Sequence, residues 1–230
     1  MRIAVVASSG GSVFAQLREI LAARDAAAHQ YLVVTDRPCG IETLCQKMGV
    51  ACHRIDERDN VEFSRRAADW LSEQGGADFV LLFFLRLVTG ELFGRFPTFN
   101  IHPSLLPAFR GFNPLAQALA VRARFMGATL HLVNTHADAG AIVAQVCMPL
   151  AGNEKAERLE KISFIQKVYL ALVLVDLLQR GALSVSADRN DAHVEPGLRA
   201  TDRCNPRLSD ERLHQAVLRL QQQEQVEVIQ

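Results

Sequence analysis

The sequence has no excess of charge of either sign and few of the residues that mark fibrous or disordered chains. Its 230 residues carry 25 Lys and Arg against 25 Asp and Glu, so the formal net charge is zero. A neutral chain has no electrostatic reason to coat nucleic acid or an anionic membrane. Only 14 residues are Gly and 8 are Pro, while 49% are hydrophobic, which favours a globular fold. We therefore expect a small-molecule partner, no nucleic-acid partner and no membrane association.

Long apolar runs and paired cysteines are also missing. The apolar start of the chain is too short for a signal sequence, and the runs at 79–85 and 168–178 are too short or too charged to span a membrane. The five cysteines form no C-x-x-C pair, and an odd number fits poorly with a disulfide framework. The Cys and His residues between 39 and 53 match no common zinc spacing. These features predict a cytoplasmic protein with reduced thiols and without a metal.

Short apolar runs alternate with segments of helical periodicity through the first half of the chain. Continuous apolar runs indicate strands that are buried on both faces, and strand–helix–strand repetition indicates right-handed crossovers in a parallel sheet. The expected strands are 2–7, 31–35, 50–55, 78–84 and 97–101, and the expected helices are 12–27, 59–74 and 113–123. We predict a doubly wound, mostly parallel, Rossmann-like α/β sheet that binds ligands at the carboxyl ends of its strands.

The second half continues this pattern and then weakens. Two alternating segments at 127–135 and 141–149 surround a Gly-containing turn and predict two strands, and 153–180 predicts one long helix. The following stretch, to residue 206, is turn-rich, and a last helix is expected to begin with Ser209 as its N-cap. We predict an α/β domain over 1–181 and a C-terminal extension with one helix over 182–230.

A Ser- and Gly-rich turn, Ser8–Ser12, separates the first expected strand from the first helix. Glycines let the backbone approach an anion, and the N-terminus of a helix offers free N–H groups and a positive dipole end. A phosphate or carboxylate would fit such a turn. A tight turn capped by Ser12 explains the same residues, and the residues alone do not decide between the two interpretations.

Two polar side chains lie at the end of the strand that precedes residue 103. Asn100 and His102 are two residues apart in the string N-I-H-P-S-L-L-P, so they point to the same side of a strand. Pro103 holds His102 in an extended backbone. An amide next to an imidazole suits a reaction that builds an oxyanion and moves a proton. A structural role for both residues remains the alternative.

Asp138 lies in the predicted turn between two strands, in the string H-A-D-A-G-A that starts at His136. Aspartate in a Gly-containing turn is most often there for its turn geometry. His131 precedes this turn on the expected strand. The residues alone therefore leave Asp138 with a structural or a catalytic role.

Three strings together resemble the folate-dependent formyltransferases: RIAVVASSGGS, NIHPSLLPAFRG and GATLHLVNTHADAGAIVAQ. The resemblance covers residues 1 to 180 and implies the parallel sheet that the periodicity predicts. It places Asn100, His102 and Asp138 at the three catalytic positions and implies a formyltransferase of one-carbon metabolism with 10-formyltetrahydrofolate as the formyl donor. We expect the carboxylate of Asp138 to lie within reach of the ring of His102.

The resemblance also assigns the binding residues. The donor is expected against the segment after the fourth strand and the loop 135–140, through Phe84, Leu85, Arg86, Leu87, Val88, His136, Ala137 and Gly140. The amine acceptor is expected at Gly10, Gly11, Ser12, Pro103 and Arg110. No metal is required. A homodimer is left open as an assembly state.

The chain departs from the purine-synthesis members of this family mainly on the acceptor side. Val13 replaces a polar residue of the glycine-rich turn, and Ile165–Lys167 provide no acidic residue on the long helix. Residues 109–114 resemble the R-G-x-x-P of the tRNA, amino-sugar and deformylase branches. We therefore expect an acceptor other than glycinamide ribonucleotide, such as an amino sugar or a hydroxylamine. A formyltetrahydrofolate deformylase and a non-catalytic ligand-binding protein are the alternatives.

Overall fold

The computed structural model describes residues 1–25 and 27–229 and contains an eight-stranded sheet, a two-stranded hairpin and seven helices in this part of the chain. The strands are β1 Arg2–Ala7, β2 Gln30–Thr35, β3 Ala51–Arg54, β4 Phe79–Phe83, β5 Thr98–His102, β6 Phe125–Leu132, β7 Ile142–Pro149, β8 Leu183–Val185, β9 Ala192–Val194 and β10 Cys204–Asn205. The helices are α1 Ser12–Arg24, α2 Gly40–Met48, α3 Asn60–Glu73, α4 Gly90–Phe93, α5 Pro114–Ala120, α6 Ala156–Gln179 and α7 Glu211–Glu224. Ala26 and Gln230, which the predicted first helix and the predicted extension include, lie outside the described residues.

The sheet has the order β10-β7-β6-β5-β4-β1-β2-β3. Strands β1 to β5 are parallel to one another, and β6, β7 and β10 each run antiparallel to the neighbour that joins them to the sheet. This mostly parallel sheet, flanked by helices on both sides, confirms the predicted fold class.

Side chains alternate between two apolar layers along each central strand. In β1, Ile3 and Val5 belong to one hydrophobic cluster, whereas Ala4 and Val6 belong to another. Helices α1, α2, α6 and α7 contribute to the first cluster, and α3 and α4 contribute to the second. Because both faces are covered, the central strands are apolar at consecutive positions, as the sequence pattern indicates.

Helix α6 is the central helix of the larger layer. Every residue from Val168 to Leu177 is buried. By length and composition alone this helix could cross a membrane, but 72% of its apolar window is buried inside the fold. Its apolar character is explained by the sheet and the helices that surround it.

The C-terminal residues pack onto the same sheet. Strand β10 pairs with the edge strand β7, and α7 contributes to the same cluster as α1 and α6. The side chain of Asp210 caps α7 by accepting hydrogen bonds from the N–H groups of Arg212 and Leu213, so the predicted cap at Ser209 is wrong by one residue. The boundary between 181 and 182 stays a prediction.

Candidate active site

Polar side chains from neighbouring strands meet at the antiparallel pair β5–β6. Asn100 lies directly opposite His131 in this pair, and His102 lies opposite Thr129. His102 and His131 are 4% and 1% exposed, so both rings are buried. The Nδ2 atom of Asn100 is 3.3 Å from Nε2 of His131.

Both ring nitrogens of His102 face oxygen atoms of the protein. Nε2 is 2.8 Å from the carbonyl oxygen of Phe109, and Nδ1 is 3.5 Å from Oδ1 of Asp138. A carbonyl oxygen only accepts hydrogen bonds, so Nε2 carries a proton and donates it. The expected approach of Asp138 to His102 is confirmed.

His131 is a second histidine of the site that the motif does not assign. Its Nδ1–H donates to the carbonyl oxygen of Leu132 at 2.9 Å, and Nε2 is 3.6 Å from Oδ1 of Asp138. When the ring is neutral, Nε2 accepts from the amide of Asn100. The sequence places His131 on the expected strand that leads to the Asp138 turn, and the structure adds the register that brings it opposite Asn100.

Asp138 is held between the two histidines and a backbone amide. Its φ angle is +52°, in the left-handed region that Asp tolerates better than most residues. Oδ2 accepts a hydrogen bond from the N–H of Gly111 at 2.9 Å. Burial opposes ionisation, but the contact with His131, the Gly111 amide and the charge of His102 outweigh it, so the pKa of Asp138 lies below its usual value. The carboxylate is therefore ionised at neutral pH.

The loop that follows His102 is held by hydrogen bonds to the side chain of Thr129, a residue that the sequence patterns do not single out. The hydroxyl of Thr129 donates to the carbonyl of Ser104 at 2.7 Å and accepts from the N–H of Leu106 at 3.0 Å. This buried hydroxyl fixes the stretch that begins with Pro103. Arg110 lies further along, exposed, between the residues that contact His102 and Asp138.

The Ser8–Ser12 turn forms the start of α1. Gly11 is the N-cap with a φ angle of +79°, and no side chain caps this helix, so Ser12 is not the cap. A Cβ atom at Gly11 would also run into the side chain of Ile41. The side chain of Val13 is buried and adds no polar group to the turn. Gly10 and Ser12 are exposed, so the turn is open to an anion.

The segment 84–88 follows β4 and lies next to this turn. The N–H of Leu85 donates to Oγ of Ser8 at 3.3 Å, and the N–H of Ser8 donates to the carbonyl of Phe83 at 3.2 Å. The guanidinium of Arg86 points into the protein, whereas the side chains of Leu85 and Leu87 are exposed.

The loop 135–140 carries Asp138 and the remaining predicted donor contacts. The side chains of His136 and Ala137 are exposed. Gly140 is buried, and a Cβ atom there would overlap the carbonyl oxygen of Leu132. The donor and acceptor roles of these residues stay predictions. Within residues 1–25 and 27–229, no group of three or more His, Cys, Asp or Glu side chains is placed to hold a metal ion.

Comparison with known proteins identifies the family. The formyl transferase family model matches residues 1–172. A chloroplastic phosphoribosylglycinamide formyltransferase of Vigna unguiculata is 33% identical over 69% of this chain, and the match spans only 54%, about half, of that relative. The phosphoribosylglycinamide formyltransferase of Mycobacterium tuberculosis is 31% identical over 80% of this chain and 88% of its own length.

The fold comparison agrees with the sequence comparison. The crystal structure of glycinamide ribonucleotide transformylase 1 from Symbiobacterium toebii superimposes with a TM-score of 0.74 at 25% identity, covering 85% of this chain and 94% of that one. The matched region includes the polar cluster around His102 and Asp138. The chain belongs to the formyl transferase family.

Proposed function

We propose that this protein transfers a formyl group from 10-formyltetrahydrofolate to the amine of a small-molecule acceptor. The observation that carries the proposal is the placement of the Asp138 carboxylate 3.5 Å from the ring of His102, with Asn100 on the same strand as His102. Family membership supports formyl transfer, and the relatives named above act, by their names, on a phosphoribosylated glycinamide.

The reaction requires a stabilised oxyanion and two proton movements. The amine nitrogen attacks the formyl carbon, and the carbonyl oxygen gains the charge of a tetrahedral intermediate. A proton leaves the attacking nitrogen, the folate nitrogen gains a proton, and the bond between that nitrogen and the formyl carbon breaks. The products are the formylated amine and tetrahydrofolate.

The polar cluster offers one group for each requirement. The amide of Asn100 donates a hydrogen bond to the oxyanion, and His102, when protonated, adds a positive charge in a buried setting where charges interact strongly. Asp138 is ionised at neutral pH because its pKa is lowered, so it can accept the proton of the amine directly or through a water molecule. His131 accepts a hydrogen bond from Asn100 when its ring is neutral, and its Nε2–H pairs with Asp138 when the ring is protonated.

Two acceptor classes are distinguished by different observations. The names of the relatives favour glycinamide ribonucleotide as the first acceptor to test. The departures on the acceptor side favour another amine, such as an amino sugar or a hydroxylamine, because Val13 adds no polar group to the glycine-rich turn and Ile165–Lys167 add no acidic group on α6. We place the protein in the cytoplasm, since its five cysteines are free thiols.

The proposal is tested by mixing the full chain with 10-formyltetrahydrofolate and each amine and following the release of tetrahydrofolate by absorbance. We expect release that depends on one amine, and a loss of at least about 100-fold in His102→Ala and in Asp138→Asn. Release without any amine would instead identify a deformylase. Folate binding without release under any condition would identify a non-catalytic binding protein and refute the proposal.

A further inference from the structure

We propose that Arg86 is a positioning residue for the donor: its side chain fastens the 84–88 segment to the segment 57–60 and does not bind the donor itself. This inference rests on the proposed function, which places the donor at 84–88. The resemblance implies donor contacts of 84–88 largely through backbone groups, and the inference gives the Arg86 side chain a separate role within the protein.

Four hydrogen bonds occupy the guanidinium of Arg86. Nη1 donates to the carbonyl of Glu57 at 2.5 Å, and Nη2 donates to the carbonyl of Arg58 at 2.6 Å. Nε and Nη2 both donate to Oδ1 of Asn60, at 3.1 and 2.8 Å. A guanidinium has five N–H groups, so four of them are used by the segment that leads into α3.

The guanidinium of Arg86 also lies near the buried carboxylate of Asp36. Oδ2 of this carboxylate is 3.7 Å from Nη1 of Arg86 and 2.7 Å from Nη2 of Arg37, and the Asp36 side chain is 1% exposed. The carboxylate lies at the end of β2, one strand away from β1. The side chain of Arg86, which follows β4, therefore contacts Asp36 at the end of β2 and residues 57–60 beyond the end of β3.

Two aromatic rings support the same side chain. The rings of Phe63 and Phe84 are stacked with centroids 4.9 Å apart, and the guanidinium carbon of Arg86 is 5.3 and 5.9 Å from them. Cation–π contacts of this kind favour Arg over a neutral residue. The arrangement fixes the direction of the chain between Phe84 and Arg86.

The consequence is that the residues on either side of Arg86 face outward. Leu85 and Leu87 are 59% and 55% exposed, and the N–H of Leu85 is bonded to Ser8. Within the described residues, the backbone amides of Arg86 and Leu87 form no hydrogen bond. Two exposed apolar side chains next to free backbone amides are suited to a flat, polar-edged ring such as that of the folate.

Substitutions of Asn60 test whether Arg86 positions the donor segment or contacts the donor directly, because Asn60 lies outside the donor segment and hydrogen-bonds Arg86. Asn60→Ala removes the acceptor of two Arg86 hydrogen bonds, whereas Asn60→Asp keeps an oxygen acceptor there. We expect the Kd for tetrahydrofolate and the KM for the donor to rise about tenfold in Asn60→Ala and to stay near wild type in Asn60→Asp. The KM for the acceptor and kcat should change less than about twofold in both.

Substitutions of Arg86 itself complete the series. Arg86→Met should raise the donor Kd more than Asn60→Ala does, and Arg86→Lys should recover part of the loss. Arg65→Met is the control, because Arg65 is 45% exposed on α3 and forms its ion pairs with Glu62 and Asp69 at the surface. Thermal unfolding of each variant shows whether it is folded. If Arg86→Met does not fold, the comparison of Asn60→Ala with Asn60→Asp tests the role of Arg86.

The possible results distinguish a failure of the Arg86 inference from a failure of the proposed function. An unchanged donor Kd in Asn60→Ala, with a raised Kd in a folded Arg86→Met, would mean that Arg86 contacts the donor and would overturn the inference. A wild-type protein that binds tetrahydrofolate but transfers no formyl group refutes the proposed function, and the Kd series still tests Arg86. A wild-type protein that binds no folate refutes both.

Discussion

Two residues of the site, Phe109 and Asp138, adopt left-handed backbone conformations, with φ angles of +53° and +52°. This conformation costs about 1 kcal/mol or more for a residue other than Gly. In each case a contact with His102 accompanies it, through the carbonyl of Phe109 and the carboxylate of Asp138. Both left-handed residues therefore direct an oxygen atom at His102.

Asp36 allows a prediction about the dependence of stability on pH. Burial raises its pKa, but the hydrogen bonds from Arg37 and Ser8 outweigh burial and hold the pKa below its usual value. An unfolded Asp has a pKa of about 3.9. The stabilisation by the ionised group is therefore complete above about pH 5 and is lost as the pH falls through the lower native pKa.

We expect Asp36→Asn to lower the free energy of unfolding by about 2 kcal/mol at pH 7, because charge-assisted hydrogen bonds are lost. The difference from wild type should shrink as the pH is lowered from 5 towards 3, measured by urea unfolding at each pH. Asp69→Asn serves as the control, since Asp69 is half-exposed and its ion pairs are screened by solvent. A difference that grows on acidification would contradict this assignment.

At the scale of elements, the strands are easier to predict than the shorter helices. Strands β1, β2, β4 and β5 correspond to apolar runs because this part of the sheet is buried on both faces, and β6 and β7 correspond to alternating segments. Strand β3 lies within an expected strand, although none of its four residues is buried. Helix α2 is absent from the predicted elements although Ile41, Leu44, Cys45 and Met48 lie at helical spacing on it; it has only nine residues, and only Ile41 and Cys45 are fully buried. Strands β8 to β10 have three residues or fewer, too few to show a periodic pattern, and β10 pairs with β7, which is distant in the sequence.

The hairpin β6–β7 carries His131 and Asp138, and its closure depends on Gly140. A Cβ atom at this position would overlap the carbonyl oxygen of Leu132, and backbone atoms cannot give way cheaply. We expect Gly140→Ala to lower the free energy of unfolding by about 3 kcal/mol and to reduce formyl transfer, because Asp138 moves with the loop. Chemical unfolding and the tetrahydrofolate-release assay measure the two effects.

Gly10→Ala is the matched control for this prediction. A Cβ atom at Gly10 meets nothing within 4 Å, so the variant should unfold like the wild type. Equal stability of Gly140→Ala and wild type would show that the hairpin can relax around a methyl group, and that the carbonyl of Leu132 does not require a glycine at this position.

At the scale of the whole molecule, the site is assembled from segments that are far apart in the sequence. The motifs around residues 100 and 138 identify Asn100, His102 and Asp138 because these residue types occur in a recognisable string. The residues that hold these groups and the donor segment cannot be predicted from a motif. His131 is paired with Asn100 through the register of β5 and β6, and the contact between Arg86 and Asp36 depends on the strand order. Sequence patterns predict the reacting groups, and the topology brings together the residues that contact them.

The C-terminal extension is part of the same core, although a boundary at 181 is expected from the sequence. Eight apolar residues between Cys204 and Ile229 are buried. The N–H groups of Leu208 and Ser209 donate to Tyr169 and Asp176 of α6 at 3.0 and 2.9 Å. Burying one large apolar side chain contributes about 1.5–3 kcal/mol. Before the entropy cost of ordering the extension, the sum over these side chains is of the same order as the roughly 5–15 kcal/mol by which a domain is stable.

We therefore expect a chain cut after Gly181 to lose its cooperative unfolding transition and its activity, as monitored by circular dichroism and tetrahydrofolate release. A milder test keeps the full chain: Val217→Asp introduces a charge at a position that is 0% exposed, and should cost about 4 kcal/mol or more. Gln222→Asp places the same charge on the exposed side of α7 and should unfold like the wild type. A truncated chain that unfolds cooperatively at the wild-type temperature would instead establish residues 1–181 as an independent domain, with the extension as an addition to it.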